Sequence, residues 1–371
     1  MIRILQVVGT MDLGGAETFL MNIYRNIDRT KIQFDFLCHN RTESKYAEEI
    51  ERMGGRMYCV QGLRHAGLSG YRKQLYRFFK EHPEYRVVHS HQNLLNGMIL
   101  KNAKRAGVPH RYAHAHFAYE LKTIRSKAIM LWAQMLLKNS ITKAFACSIL
   151  AGKSQFPKKW WEDFTFIPNA VDVEAFRFSE EGRRSVRDEL GLENEIVLGH
   201  VGRFAEQKNH RFILPVFQKL LETIPDAHLL LIGGGALRPE MEELAKTLGI
   251  ADRVHFLGSR RDMPACYSAM DLYFFPSNGE GLSVACVEAQ SSGLPILTST
   301  AVSSEVAFTE LVSQMDLSEP KEQWVEKICS MLEQFPKEGR KGYADVVREK
   351  GFDILSLAER MQKIYWTDYH A

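Results

Sequence analysis

The sequence lacks paired cysteines, a membrane-length apolar run and a large excess of charge. Its six cysteines stand singly, without a C-x-x-C pair, at positions 38, 59, 147, 266, 286 and 329. This pattern excludes the usual zinc-binding spacings and predicts reduced thiols in a cytosolic protein. No uninterrupted apolar run approaches the roughly 20 residues that span a bilayer. A net charge of +3 gives no argument for nucleic acid as a partner.

The first residues lead directly into a strand-like segment. They show neither the apolar core nor the small-residue cleavage site of a signal peptide, so we expect a cytoplasmic protein. At 371 residues, the chain exceeds the size at which one hydrophobic core usually stops growing, which predicts two domains. Hydrophobic residues make up 45% and charged residues 25% of the sequence, and this balance excludes a disordered or fibrous chain.

Apolar runs and helical patterns alternate along the first half of the chain. Gly54-Gly55 and Gly107-Val108-Pro109 stand where helices are expected to end, as glycine and proline commonly do. Strands separated by crossover helices favour a parallel sheet covered on both faces. The predicted strands are residues 2–8, 33–38, 56–60, 86–90, 110–114, 144–147 and 165–167, and the predicted helices are residues 16–26, 45–53, 71–81 and 94–106.

The alternation restarts after a charged, turn-rich stretch at residues 169–195. We therefore expect a hinge near residues 168–172, between an N-terminal domain at 1–167 and a C-terminal domain at 168–353, with residues 354–371 packing back on the first domain. The predicted class is α/β, with two Rossmann-like domains that face each other across a cleft. In the second half, the predicted strands are residues 196–201, 227–232, 254–257, 272–275 and 295–298, and the tail from residue 321 is predicted to be helical throughout.

Three loops that follow predicted strands carry the candidate chemistry, because ligands of parallel α/β sheets bind beyond the carboxyl ends of the strands. The first loop contains Gly14 and Gly15 before a helix. Glycines let the backbone approach a ligand closely, and a helix N-terminus favours an anion. The alternative is a strand-to-helix turn without a ligand.

The second loop, residues 202–209, places Arg203 and Lys208 directly after a predicted buried strand. A guanidinium and an ammonium group at this point can neutralise a diphosphate. The alternative is a pair of solvated surface cations.

The third loop holds Glu280 and Gly281 before a helix predicted to begin near Leu282, with Glu288 about two turns further on. A carboxylate on an otherwise apolar helix needs partners. The eight-residue offset predicts about 10–12 Å between the carboxylates along the helix axis, which suits two ends of a nucleotide sugar. The alternative is a helix-start acid and an ordinary surface glutamate.

Two weaker patterns complete the set. Gly233-Gly234-Gly235 follows a predicted strand, but Arg238 occupies the third glycine position of a dinucleotide fingerprint, so a dehydrogenase is excluded. His-x-His occurs at His89/His91 and at His114/His116. We expect a polar role in the cleft rather than a metal site, because no aspartate or cysteine accompanies these histidines; for His89 and His114 a structural role is an equal alternative.

Taken together and in order, these motifs resemble the family 4 glycosyltransferases of GT-B fold. Gly14-Gly15-Ala16-Glu17, Gly202-Arg203 with Lys208, and Glu280-x7-Glu288 carry the resemblance, as does Ile167-Pro168-Asn169-Ala170-Val171-Asp172 at the hinge. The similarity spans nearly the whole chain and is strongest to bacterial capsular and exopolysaccharide transferases. Ala170 departs from the family's hinge glycine, and residues 283–286 are an unusual filling between the two glutamates.

The resemblance implies a retaining, metal-independent transfer of a hexose or N-acetylhexosamine from a nucleotide sugar, expected to be UDP-linked, with no cofactor. The implied acceptor is a glycan or a lipid-linked saccharide that the N-terminal domain would bind, while the C-terminal domain would bind the nucleotide-sugar donor. Arg203 and Lys208 would hold the diphosphate, Glu280 the hexose hydroxyls and Glu288 the ribose hydroxyls. His116, with His114 as the alternative, would lie against the donor sugar. The remaining implied binding residues are Gly14, Gly15, Gly202, Gly233, Arg261 within residues 259–262, Gly281, Leu282 and Ser283.

Residues 121–143 contain five lysines and arginines, no acidic residue, and an apolar stripe at Ile124, Leu131, Trp132 and Met135. Basic helices of this kind lie on anionic membranes, so we expect peripheral contact with the inner membrane face. A buried helix with solvated edges is an equal alternative.

Two other functions are compatible with parts of this pattern. A retaining glycosidase needs carboxyl groups only about 5–5.5 Å apart, which the helical offset does not favour. A non-catalytic module that binds nucleotide sugars is not excluded by the fold alone.

Overall fold

The computed structural model describes residues 1–12, 15–39, 44–119 and 123–371. These residues form two compact units. The first consists of Met1–Asn169 with Ile354–Ala371, and the second of Ala170–Asp353. The division therefore falls after Asn169 rather than after residue 167, and the C-terminal segment belongs to the first unit.

The first unit is built on a sheet of seven parallel strands. Helices cover both faces of a parallel sheet, and every residue of its second and fourth strands is accordingly buried, including Gln33 and Asp35. The strands are β1 (Ile2–Val7), β2 (Ile32–Cys38), β3 (Met57–Cys59), β4 (Val87–Ser90), β5 (His110–Ala115), β6 (Lys143–Ala146) and β7 (Thr165–Phe166). Their order across the sheet is β3-β2-β1-β4-β5-β6-β7.

Seven helices belong to this unit: α1 (Gly15–Asn26), α2 (Ala47–Arg52), α3 (Leu63–Glu81), α4 (Asn96–Ala106), α5 (Ile124–Leu137), α6 (Ile149–Gln155) and, from the C-terminus, α14 (Ile354–His370). α3 begins at Leu63, eight residues before the predicted start at Tyr71. The earlier start was missed because Gly67, with a φ of +63°, interrupts the helix and breaks its apolar periodicity. α14 packs against α1 and β1.

The second unit contains a six-stranded parallel sheet with the order β10-β9-β8-β11-β12-β13. The strands are β8 (Val197–Val201), β9 (His228–Ile232), β10 (Val254–Gly258), β11 (Leu272–Phe275), β12 (Ile296–Ser299) and β13 (Val312–Met315). β13 was not predicted. As an edge strand with the mixed sequence Val-Ser-Gln-Met, only half-buried throughout, it lacks the apolar run that marks an inner strand.

The helices of this unit are α7 (Glu180–Leu190), α8 (His210–Leu220), α9 (Arg238–Thr247), α10 (Met263–Ala269), α11 (Val284–Ser291), α12 (Lys321–Gln334) and α13 (Tyr343–Glu349). The prediction of a continuous helical tail is wrong. α12, α13 and α14 are separated at Pro336 and at Gly351, whose φ is +87°. Neither residue suits a helix interior at these positions.

Both sheets reverse their strand order at an interior point: at β1 and β4 in the first unit, and at β8 and β11 in the second. Loops that leave such a point diverge to opposite faces and leave room for a ligand. The segments that contain Gly15, Arg203 and Glu280 follow β1, β8 and β11 at these points, whereas Gly233 and His116 follow the neighbouring strands β9 and β5. In the part of the chain that the structure describes, no helix has the length and apolarity needed to cross a bilayer.

Candidate functional site

Close backbone packing at the carboxyl ends of β8, β9 and β10 explains two of the predicted glycines. A Cβ on Gly233 would lie 2.1 Å from the carbonyl oxygen of Gly202, and Gly233 has a φ of +142°. Its N–H donates to the carbonyl of Gly258 at 2.8 Å. A Cβ on Gly202 would lie within 3.1 Å of the Lys208 side chain. Only glycine fits at Gly233, and the edge beside Lys208 stays free of side-chain bulk.

Lys208 and Glu280 form an ion pair at this edge. The Lys208 Nζ lies 2.7 Å from the Glu280 Oε1, and both side chains are only 17% exposed. The ammonium also lies 4.5 Å from the centre of the Phe275 ring, a favourable cation–π contact. The main chain of Glu280 is held by Ser303, whose N–H donates to its carbonyl at 2.9 Å. Two residues predicted to hold different parts of one ligand are thus in direct contact.

Arg203 and Arg261 lie at the same edge, after β8 and β10. Both are exposed, and neither guanidinium forms an ion pair with a described residue. The neighbouring Arg260 contrasts with them, since it contacts Glu189 at 2.6 Å and Asp262 at 2.6 Å. Arg260 is therefore occupied within the fold, while Arg203 and Arg261 are available to an anion.

Glu288 lies on α11 and accepts a hydrogen bond from the Tyr267 hydroxyl at 2.8 Å. Burial raises the pKa of the Glu288 carboxyl to about 7, and the Tyr267 hydrogen bond opposes this shift only in part. The carboxyl is thus poised to gain or lose a proton near neutral pH.

α11 begins at Val284 rather than at the predicted Leu282. Ser283 is the N-cap in extended conformation, a position that serine favours. Gly281 is exposed while Leu282 and Ser283 are buried. Among the described residues, the N–H groups of Gly281 and Leu282 meet no carbonyl, so they can donate to a ligand.

The first unit has a cavity of about 430 Å³ at the carboxyl ends of β1, β4 and β5. Gly15, Glu17, Asn93 and His116 line it, and a Cβ on Gly15 would meet nothing within 4 Å. Burial raises the pKa of the Glu17 carboxyl above its ordinary value. Gly14, which was predicted to bind the ligand, lies outside the described residues.

A chain of hydrogen bonds behind this cavity sets the orientation of His116. The Gln6 Oε1 lies 3.0 Å from the His91 Nε2, and the Gln6 Nε2 donates to the Tyr365 hydroxyl at 3.2 Å. Since an amide oxygen only accepts, the His91 Nε2 carries the proton. The His91 Nδ1 then accepts from the His116 Nε2, 2.7 Å away. This leaves the His116 Nδ1 as a hydrogen-bond acceptor.

All four clustered histidines are held in the neutral form. Burial lowers the pKa of His116 to about 3, and it lowers the pKa values of His89, His91 and His114 well below their ordinary value. His114 is fully buried and both its ring nitrogens lack a partner among the described residues. Of the two candidates, His116 lines the cavity and His114 does not.

The His89, His91 and His114 rings form the one group in the described chain whose ligand atoms are close enough to share a metal, within 4.8 Å of one another. Both nitrogens of His91 already have partners in Gln6 and His116. Coordination of a metal through either nitrogen would break the hydrogen bond which that nitrogen makes, and this does not favour a metal here. The expectation of a metal-free site remains a prediction.

Comparison with known proteins identifies the family. The family model "Glycosyltransferase Family 4" matches residues 13–175, and "Glycosyl transferases group 1" matches residues 182–344. EpsF of Bacillus subtilis, which is named as a glycosyltransferase, is 34% identical over 334 residues, covering 88% of this chain and 87% of EpsF.

The chain belongs to glycosyltransferase family 4. A second relative of this family 4 glycosyltransferase is an Escherichia coli enzyme. It is named UDP-Gal:alpha-D-GlcNAc-diphosphoundecaprenol alpha-1,3-galactosyltransferase and is 30% identical over 234 residues, covering 61% of this chain and 60% of the enzyme.

Among solved structures, Anabaena HepE in complex with UDP has a TM-score of 0.81 at 17% identity, covering 99% of this chain and 100% of HepE. This likeness shows the fold. The predicted GT-B class, with its two Rossmann-like parallel sheets, is confirmed.

The chemistry available to this family 4 glycosyltransferase follows from its charges. Cleavage of a nucleotide sugar leaves negative charge on the nucleoside diphosphate. Cations and N–H groups fixed in advance stabilise that growing charge more than they stabilise the ground state. Arg203, Lys208 and the N–H groups before α11 supply such groups in the second unit.

Four polar residues of the candidate sites in the two units were not identified from the sequence: Gln6, Glu17, Tyr267 and Tyr365. Glu17 belongs to the quoted glycine motif, so position in that motif could have identified it. Gln6, Tyr267 and Tyr365 had no such signal, because each reaches its partner only through the fold, as Tyr365 does from α14 to His89 at 2.7 Å.

Proposed function

We propose that this chain is a retaining glycosyltransferase that moves a hexose or N-acetylhexosamine from a UDP-sugar to a glycan or lipid-linked acceptor during surface polysaccharide synthesis. The proposal depends on one combination of features at the carboxyl ends of β8 and β9. Gly202 and Gly233 leave the backbone open to close approach, Arg203 forms no ion pair with a described residue, and Glu280 holds Lys208 in place. A diphosphate needs both close backbone approach and fixed cations.

The donor assignment is supported by the relatives. The E. coli enzyme is named for a UDP-galactose donor, and HepE has been solved with UDP and with UDP-glucose. The diphosphate would lie against Arg203 and Lys208, with Gly202 and Gly233 beneath it.

The remaining predicted residues would bind the hexose, the ribose and the base of the donor nucleotide sugar. Glu280 would hold the hexose hydroxyls while it orients Lys208. Glu288 would accept from the ribose hydroxyls, and the exposed Arg261 would flank the base. The N–H groups of Gly281 and Leu282 would face the hexose end, with Ser283 at the helix start.

His116 would accept a hydrogen bond from a hydroxyl of the sugar through its Nδ1. A neutral imidazole suits that role better than an imidazolium, since only the neutral ring has an acceptor nitrogen. Gly15 and Glu17 would line the same cavity.

Metal independence is proposed because the cations are already in place. Glu280 is paired with Lys208, and Glu288 with Tyr267, so these carboxylates do not form an open oxygen cluster of the kind that binds magnesium. Retention is proposed from the family resemblance.

The acceptor side is supported by the name of the E. coli enzyme, which specifies a diphosphoundecaprenol-linked acceptor. We therefore also propose a cytoplasmic protein in peripheral contact with the inner face of the membrane. The stripe on α5 supports this contact, because Ile124, Leu131 and Met135 are 88%, 60% and 67% exposed. A buried helix would not expose them.

One cation of the predicted basic segment does not belong to that surface. Lys143 lies in β6, and its Nζ is 2.6 Å from Asp368 of α14. Lys122 of the same segment lies outside the described residues.

The test starts with thermal melting in a panel of nucleotide sugars, since a ligand that binds only the folded form raises the melting temperature. We expect UDP-sugars to give the largest shift. NMR of the anomeric proton of the product should then show the donor's configuration, and a chelator should leave turnover unchanged.

The rival is a binding module without catalysis. It predicts the same melting shift but no release of nucleoside diphosphate with any saccharide or lipid-linked acceptor. A panel in which no nucleotide sugar changes the melting temperature would contradict both functions.

A further inference from the structure

A second cavity of the first unit lies away from the histidine cluster, between α3, α4 and α5. Its volume is about 250 Å³, and its apolar lining comes from Leu68, Met98, Trp132 and Leu136. This volume is somewhat below that of a typical small-molecule site, and it suits part of a long apolar molecule.

The rim of this cavity carries two cations and one unsatisfied amide. Arg72 and Lys101 line it and are exposed, and neither pairs with a carboxylate of the described chain. Asn102 is 2% exposed, and its Nδ2 donates to the Met98 carbonyl at 2.9 Å. Its buried Oδ1 has no partner among the described residues. Asn102 therefore brings an unsatisfied hydrogen-bond acceptor to the lining of the cavity.

Glycines shape the walls. A Cβ on Gly97 would lie 2.7 Å from the Leu136 Cβ and 2.9 Å from the Ala133 carbonyl oxygen. α4 and α5 therefore touch at Gly97 and leave the cavity beside this contact. On the other wall, Gly67 interrupts α3 one residue before Leu68. The opening is thus a consequence of the backbone rather than of side-chain rotamers alone.

The helices α3, α4 and α5 around the cavity combine many basic side chains with exposed apolar ones. The helices α3, α4 and α5 together carry ten lysine and arginine side chains and a single carboxylate, Glu81. Leu68 and Trp132 at the cavity are 51% and 41% exposed. Exposed apolar side chains among unpaired cations match a lipid with an anionic headgroup, whereas a free phosphate or a nucleic acid would leave the apolar lining in water.

We propose that this cavity binds an anionic phospholipid of the membrane surface, with part of an acyl chain against Trp132 and Met98 and the phosphate held by Arg72 and Lys101. A headgroup hydroxyl can donate to the Asn102 Oδ1. The inference rests on the proposed peripheral membrane contact and gives it a defined site.

The first test measures co-sedimentation with phosphatidylcholine vesicles that contain about 30% phosphatidylglycerol. The double variant Arg72→Glu/Lys101→Glu should bind on the order of tenfold more weakly. The matched control is Lys73→Glu/Arg77→Glu, which makes the same charge change on α3 without touching the cavity. It should lose much less binding, and equal losses in the two variants would overturn the site.

The second test asks whether an acyl chain reaches the cavity. Lipids brominated in the acyl chain should quench the fluorescence of Trp132, and the quenched component should disappear in Trp132→Phe. Identical quenching in the wild type and in Trp132→Phe would contradict the proposal, as would binding that free inorganic phosphate at the same concentration abolishes.

The two proposals can fail separately. The thermal shift with UDP-sugars and the transfer to a soluble acceptor should be unchanged in Arg72→Glu/Lys101→Glu. Loss of vesicle binding with intact donor binding supports the lipid site, and intact vesicle binding in this variant defeats the lipid site alone.

Discussion

The two units place different chemistry on the same kind of scaffold. Each has a parallel sheet whose strand order reverses in its interior, and each presents loops at that point. The second unit presents charge: Arg203 and Arg261 form no ion pair with a described residue, and Lys208 lies beside Glu280. The first unit presents neutral imidazoles and amides beside the single carboxyl of Glu17, with His116 held by His91. The comparison teaches that the topology provides the position, whereas local charge and burial decide which part of a substrate can bind there.

The largest expected effect concerns the two cations at the carboxyl edge of the second unit's sheet, Arg203 and Lys208. Lys208→Ala or Arg203→Ala should lower kcat by on the order of 10²-fold or more, because each removes a charge that stabilises the departing diphosphate. Steady-state kinetics with the best UDP-sugar measures it.

The control for this prediction is Arg211→Ala. Arg211 lies near the same loop, but Glu206 and Glu240 already pair with it, so turnover should change little. Unchanged turnover in both Lys208→Ala and Arg203→Ala would show that the cations of the second unit do not stabilise the departing diphosphate.

A titratable carboxyl on the charged edge predicts a pH dependence. With a pKa of about 7, Glu288 is mostly protonated at pH 6 and mostly ionised at pH 8. Because the ionised form accepts ribose hydroxyls best, UDP affinity should rise about tenfold between these values. Isothermal titration calorimetry measures the affinity.

Glu288→Gln separates this effect from the ionisation of UDP itself. The variant should keep only the pH dependence that belongs to the ligand. A wild-type profile that overlays that of Glu288→Gln would contradict the assigned role.

A change at the histidine-lined edge of the first unit should have a smaller effect, and it should alter kcat rather than UDP affinity. Gln6→Met removes the acceptor that fixes the proton of His91, so His116 should lose its single tautomer. We expect kcat to fall about fivefold by analogy with a misdirected hydrogen bond, while UDP affinity is unchanged.

Long-range ¹H–¹⁵N spectra of the histidine rings report this change directly. The wild type should show His116 protonated on Nε2, and Gln6→Met should show a mixture. A drop in kcat without a change in the His116 spectrum would reduce Gln6 to a structural role.

The smallest effect concerns the support of the neutral edge by α14. Tyr365→Phe leaves the Gln6 Nε2 and the His89 Nδ1 without their partner, which should lower the free energy of unfolding by about 1 kcal/mol. Tyr369→Phe on the same helix is the control, since its hydroxyl has no hydrogen-bond partner among the described residues. Denaturant titration should separate the two variants; equal stabilities would show that the buried hydroxyl contributes nothing.

The inner strands and the glycine loops were predictable because their signals are local. A buried parallel strand needs an apolar run, and β1, β4 and β8 each have one near the predicted place. Gly233 could be recognised beside its strand for the same reason. β13 could not, because an edge strand that is only half-buried has no such run.

The partners of the site residues were less predictable. The glutamate motif indicated a role for Glu280 but not its contact with Lys208. Gln6 lies in β1, His91 directly follows β4 and Tyr365 lies in α14, and no local pattern links them. The basic segment was recognised, but the ion pair between Lys143 and Asp368 of α14 was not.

The sequence alone determined the family, the two α/β units and the loops that carry the charged residues, since periodicity, turn residues and ordered motifs are properties of neighbouring positions. Only the tertiary structure decided which charges stay unpaired, which histidine reaches a cavity and where an apolar opening remains between helices. Those properties depend on burial and on contacts between distant segments, and both arise when the chain packs.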